Sequence, residues 1–201
     1  MSNLNQVENF NLDFVDCSKI EGVQVDLIYT RPDNFTNEAI YGDLRIAYLH
    51  RHAAEKLRNA YSILKKAKPD WKFLVTDALR PKSVHQKMWD AVKGTTNEMY
   101  VANPLRGSIH SFGLAVDLTL IDQSSNLVDM GTPVDSFEEL AQPRYESRFL
   151  QEGKLSQVQV ANRLLLRDSM TSAGFLTIPH EWWHFNATTL EEAKSKYKPI
   201  L

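Results

Sequence analysis

Cysteine is nearly absent: Cys17 is the single one in 201 residues. It excludes an internal disulfide and any cysteine-rich zinc site, so a metal centre here must be built from His, Asp and Glu. Neither sign of charge is in excess. Twenty-three Lys and Arg stand against 25 Asp and Glu, a formal net charge of -2. With no strong positive field, nucleic acid and anionic membranes are poor partners. No apolar run approaches the length that spans a bilayer. The opening residues MSNLNQVENFNLDF lack the basic start and apolar core of a secretory signal. The expected compartment is therefore the cytoplasm, or the periplasm if a signal has been cut away. Repeats, low-complexity tracts and Gly-, Ser- or Pro-rich linkers are also missing. This predicts a single domain over 1–201, with the polar, Asn-rich residues 1–12 loosely held and flexible.

What is present patterns as mixed structure. Val23, Val25 and Leu27 alternate as in a short strand, and residues 30–43 (TRPDNFTNEAIYGD) carry turn chemistry. Ile46, Leu49, Ala53, Leu57, Ala60 and Leu64 recur at helical spacing. They predict a helix from Asp43 to Lys68, with Asp43 as N-cap and Pro69 as the stop. WKFLVT (71–76) reads as a strand running into Asp77-Ala-Leu-Arg80-Pro81. Pro81 suits the first position of a helix over 82–93 that ends at Gly94. Residues 113–121 form a strongly apolar strand, and 122–156 are mostly irregular with a short helix near 136–141. A second long helix over 157–173 closes at Gly174. Residues 175–178 and 182–185 read as short strands meeting at Pro179. Helices and strands do not alternate regularly, which predicts an α+β fold: a small mixed or antiparallel sheet with two long helices packed on it.

Three of the six histidines, His50, His52 and His85, read as ordinary helix residues outside any site. His110, His180 and His184 keep unusual company. In SIHSFGLAVDL (108–118), Asp117 is flanked by Val116 and Leu118 inside an apolar strand. A carboxylate there must face solvent, be paired, or bind metal, because unpaired burial costs several kcal/mol. Gly113 lets the backbone turn tightly between His110 and Asp117. PHEWWHF (179–185) contains H-E-x-x-H. In a helix that pattern holds zinc with His180 and His184 and uses Glu181 as base. Pro179 and the β-prone Trp, Phe and Thr neighbours oppose a helix here. The better assembly takes His110, Asp117 and His184. Two His and one carboxylate leave a fourth position open, as in a catalytic zinc site, though other divalent ions suit such a set too. Glu181 then stands beside it as base, provided it lies on a turn before the strand. Arg80, at a strand end before Pro81, is placed to stabilise an oxyanion or simply to pair with Asp77.

These segments together resemble the D-alanyl-D-alanine dipeptidases of the vancomycin-resistance type, in the zinc D,D-peptidase superfamily. The matching stretches run from about residue 23 to 187: VDLIYTRPDNFTN, TDALRPK, SIHSFGLAVDLTL, MGTPVD, the helix before SAGF, and EWWHF. The resemblance implies a fold shared with the hedgehog signalling domain and one bound zinc on His110, Asp117 and His184. It implies Glu181 as general base and Arg80 as transition-state stabiliser. Ser108 would hold substrate, Asp135 and Tyr29 would receive its ammonium, and Asp77 would support the site from behind. The implied reaction is hydrolysis of free D-Ala-D-Ala, a small-molecule partner. The reaction could lower the D-Ala-D-Ala pool to permit glycopeptide resistance or recover D-alanine from cell-wall turnover, by identical chemistry. Two other readings share the zinc site: a D,D-carboxypeptidase or endopeptidase acting on longer peptidoglycan peptides, and a non-catalytic zinc-bearing binding domain. His180 stands where the family pattern has an apolar residue, and the 136–156 loop departs from it as well. Oligomeric state leaves no mark in the sequence.

Overall fold

A computed structural model describes residues 13–201; the segment 1–12, expected to be flexible, lies outside the described residues. Its strands are β1 (Phe14–Asp16), β2 (Val23–Val25), β3 (Tyr48–His50), β4 (Lys72–Asp77), β5 (Ala115–Ile121), β6 (Leu176–Thr177) and β7 (His184–Asn186). The helices are α1 (Arg51–Ala67), α2 (Lys82–Val92), α3 (Glu146–Gln151), α4 (Gln157–Ser172) and α5 (Leu190–Lys196). The main sheet is five-stranded, in the order β2-β4-β5-β7-β6. β2 runs parallel to β4 and every other pair is antiparallel. β1 and β3 make a separate antiparallel pair. This is the expected α+β class, with a mixed sheet.

All seven residues of β5 are buried, because the strand lies mid-sheet and is covered on both faces. Val116, Leu118 and Leu120 join the main core. Asp117 and Thr119 point the other way, by the two-residue period of a strand. α1 buries Ala53, Ala54, Leu57, Ala60, Tyr61 and Leu64, and packs on α4 and β4. α4 is closed at its start by a capping box: Ser156 accepts from the Gln159 N–H, and Gln159 accepts from the Ser156 N–H. Gly174 (φ +88°) ends it in the left-handed region.

The first helix begins eight residues later than its periodicity predicts. Tyr48–His50 is instead paired with Phe14–Asp16, and Ile46 is 41% exposed. Leu49 satisfies helical spacing and strand burial equally well, so the apolar pattern ran through the boundary. The N-cap is His50, whose Nδ1 accepts from the His52 N–H at 3.2 Å; Asp43 lies in the preceding turn. Pro81 is likewise the N-cap of α2 rather than its first residue. His85 is buried, not superficial: with Met88 and Val92 it forms the inner face of α2. The stretch read as irregular contains α3, and α5 follows β7.

Gly113 links this framework to the site. It adopts φ +64°, its N–H donates to His110 O, and its carbonyl accepts from His50 N–H at 2.8 Å. An added Cβ would stand 2.6 Å from Phe14 Cε1 and 3.0 Å from His50 N. Gly113→Ala is expected to destabilise the protein by about 1–3 kcal/mol, read as a lower denaturation midpoint. An unchanged midpoint would mean that the turn relaxes freely.

Candidate active site

Antiparallel pairing sets the first two site residues. Asp117 of β5 and His184 of β7 are direct cross-strand partners. His184 Nδ1 lies 2.9 Å from Asp117 Oδ1. His110 arrives from the short 3-10 turn Ile109–Phe112 just before β5. Its Nε2 is 3.2 Å from His184 Nδ1 and 3.4 Å from Asp117 Oδ2. These three form the cluster of metal-ligating groups found among the described residues.

The remaining ring nitrogens define which lone pairs face inward. His110 Nδ1–H donates to the Ala78 carbonyl at 2.7 Å, and His184 Nε2–H donates to Asn186 Oδ1 at 2.9 Å. With both rings neutral, that leaves His110 Nε2 and His184 Nδ1 as bare acceptors facing a carboxylate. Three electron-pair donors crowded this closely call for a cation between them. A tetrahedral zinc with bonds of about 2.0–2.1 Å separates its ligands by about 3.3 Å; the 3.2 and 3.4 Å spacings match this, and the 2.9 Å between His184 and Asp117 is a hydrogen-bond distance. Hydrogen-bonded outer nitrogens are the usual support of metal-ligating histidines. Burial pushes the Asp117 carboxyl up; when the two rings are protonated instead, His110 and His184 reverse this and hold it well below the usual carboxylate range.

The segment from Pro179 to β7 is not helical, so H-E-x-x-H does not present its two histidines on one helix face. His180 lines the cavity, but it is not in the cluster with His110, Asp117 and His184. Glu181 lies on the irregular stretch before β7, as its expected position required, with Oε2 3.8 Å from His184 Nδ1. Burial pushes its carboxyl up to about 7, against the pull of His184 and Arg80.

Arg80 is buried at the end of β4. Its Nε donates to Asp77 Oδ2 at 2.8 Å and its Nη2 bonds the same oxygen; Nη2 also stands 3.5 Å from Asp117 Oδ2. Asp77 is wholly buried behind it, and its other oxygen accepts from Tyr41 Oη–H and the Ala78 N–H. Tyr29 lies beside Arg80, whose guanidinium carbon is 5.8 Å from its ring centroid, and Asp135 lines the same cavity. Asp135 sits in the left-handed region at φ +65°. Burial lifts its carboxyl well above the usual range, and Asp117 and Glu181 add to this against Tyr29 and Arg80.

These groups surround one cavity of about 260 Å³. Tyr29, Arg80, Ser108, His110, Asp117, Asp135, Glu181 and His184 line it, and Asp77 stands behind Arg80. Phe35, Tyr100 and Phe137 add an aromatic wall, with Tyr100 and Phe137 stacked at 4.8 Å. Sequence reasoning missed His85, Tyr41 and Asn186. His85 lines the cavity and donates from Nε2 to Ala102 O at 2.7 Å, while burial lowers its pKa to about 4. Asn186 was within reach: two residues after His184 in a strand, it shares that face. Tyr41 is 36 residues from Asp77 and carries no local signal.

The sequence matches the D-ala-D-ala dipeptidase family over residues 11–198. A D-alanyl-D-alanine dipeptidase of Escherichia coli (strain K12) is 34% identical over 163 residues, covering 81% of this chain and 78% of that protein. One from Synechocystis sp. is 32% identical over 66% of each chain. One from Enterococcus faecalis is 30% identical over 83% of this chain and 86% of its own. Among the described residues, no helix is long and apolar enough to cross a membrane.

The outer hydrogen bond to His184 gives a direct test. Asn186→Leu is expected to weaken divalent-metal binding by about 10–100-fold, measured by competition with a chromophoric chelator. Unchanged affinity would mean that the ring is oriented by other contacts.

Proposed function

The chain belongs to the D-Ala-D-Ala dipeptidase family of peptidases, and on that premise we propose that it hydrolyses the free dipeptide D-Ala-D-Ala to two D-alanines, with zinc on His110, Asp117 and His184. The observation that carries the reading is one small cavity lined by both this donor set and the Asp135 carboxyl. When bound there, zinc would lower the pKa of a coordinated water toward neutrality and polarise the scissile carbonyl. The Glu181 carboxylate takes the proton of the attacking water and returns it to the leaving amine. Arg80, held by Asp77, directs its guanidinium at the carbonyl oxygen and stabilises the charge that develops there. Ser108 lines the same wall and contacts substrate.

Asp135 and Tyr29 receive the substrate ammonium. Arg80 is already engaged by Asp77 and Asp117, so an arriving ammonium supplies the cation that Asp135 needs to ionise. A substrate without that charge leaves the carboxyl desolvated and unpaired. The same feature argues against a carboxypeptidase acting on longer peptides, whose chains would have to pass Asp135 and the aromatic wall. Retention of Glu181 and Arg80 beside the donor set argues against a purely binding role. Cytoplasmic action is part of the reading.

The test compares D-Ala-D-Ala with its N-acetylated form on zinc-loaded protein, with and without a chelator. Cleavage of the free dipeptide alone, abolished by chelation, is expected. Cleavage of both would move the protein to the carboxypeptidase class, and cleavage of neither would overturn the proposal. Glu181→Ala should retain metal and lose about 10²–10⁴-fold in kcat; full activity would remove Glu181 as base. His184→Ala should lose both metal and turnover. If His180→Ala does so while Asp117→Ala keeps its metal, the ligand set is wrong.

A further inference from the structure

A second buried arginine takes no part in this chemistry. Arg163 of α4 is 1% exposed. Its Nε donates to Met130 O at 2.7 Å and its Nη1 to Leu140 O at 3.0 Å, while Nη2 lies 3.5 Å from Thr132 Oγ1. Met130 and Thr132 precede Asp135, and Leu140 follows it. One guanidinium therefore clamps both ends of the loop that carries Asp135. Its charge is offset by Glu146, 3.6 Å away and held in turn by Arg167 at 2.6 Å.

The clamp also reaches the catalytic side. Trp182, the residue after Glu181, donates from Nε1 to Thr132 Oγ1 at 2.8 Å, and Arg163 stands 5.7 Å from its ring centroid. The same helix adds bonds from Gln159 and Asn162 to Asp129, both at 2.9 Å. Asp135 itself is held at φ +65°. A non-glycine residue keeps that conformation only where its surroundings impose it.

We infer that Arg163 is a positioning residue for ammonium recognition: through the 130–140 loop it holds Asp135 at the cavity and so sets the preference for a free amino terminus. The inference rests on the assignment of Asp135 to the substrate ammonium. Lysine keeps the charge but cannot span two carbonyls on opposite ends of a loop as a planar fork does.

The experiment is a cycle of Arg163→Lys, Asp135→Asn and the double variant, each zinc-loaded and checked for metal content and melting midpoint. Ammonium binding is common to ground and transition states, so Arg163→Lys should raise KM for D-Ala-D-Ala about tenfold with kcat little changed. Preference for the free over the acetylated dipeptide should fall by the same factor. In the Asp135→Asn background, Arg163→Lys should change nothing further, because coupled residues are not additive. Additive losses, or a fall in kcat with KM unchanged, would make Arg163 general scaffolding and overturn the inference. If Asp135→Asn alone leaves KM and preference intact, the Asp135 assignment fails first and the inference falls with it. Should Arg163→Lys not fold, Thr132→Val, which deletes the hydroxyl shared with Trp182, takes its place. It should give the same change confined to KM, and no change there would overturn the inference.

Discussion

A fully buried carboxylate organises this molecule. Asp77 has no exposed surface, and it is satisfied by Tyr41, the Ala78 N–H and two bonds from Arg80. A buried ion pair gains little net stability against apolar side chains, but losing one partner leaves an uncompensated charge in the interior. Here the pair has a positional consequence. The residue after Asp77 offers the carbonyl that receives His110 Nδ1–H, and the Arg80 N–H bonds His110 O at 3.1 Å. One turn at the end of β4 thus orients both the His110 imidazole and the guanidinium beside it.

The sheet does the rest by register. Asp77 and Asp117 are paired across β4 and β5, at a point where the register shifts. Two buried carboxylates side by side repel, and Arg80 lies within reach of both. Asp117 in turn faces His184 across β5 and β7. One guanidinium therefore serves two neighbouring carboxylates, and both are tolerated in the interior because of it.

The site was more legible in the sequence than the fold around it. A carboxylate inside an apolar strand violates local expectation, and Asp117 stood out for that reason. Glu181 stood out through H-E-x-x-H, although His180 does not join the cluster. Elements set by distant partners were not. Tyr48–His50 reads as helix until Phe14–Asp16 pairs with it, and no periodicity within residues 43–68 reveals that partner. His85 was misread because a histidine in a polar helix was weighed by type rather than by its spacing with Met88 and Val92. Tyr41 acts on a residue 36 positions away, beyond any local pattern. The 130–140 loop was readable as mostly irregular, but not its attachment to α4, which depends on a guanidinium reaching three separated acceptors.

The two imidazoles present different nitrogens: Nε2 from His110 and Nδ1 from His184. The difference is one of reach. His184 sits in the strand next to Asp117, so its near nitrogen suffices; His110 comes from a turn outside the sheet and must extend its far one. The centre is therefore asymmetric in side-chain length although its two histidines are identical in formula. An asparagine oxygen mimics the near nitrogen of histidine and a glutamine oxygen the far one. At position 184 the shorter amide is the sterically faithful substitute, and at position 110 the longer, so exchanging the two would leave one arm overextended and the other short.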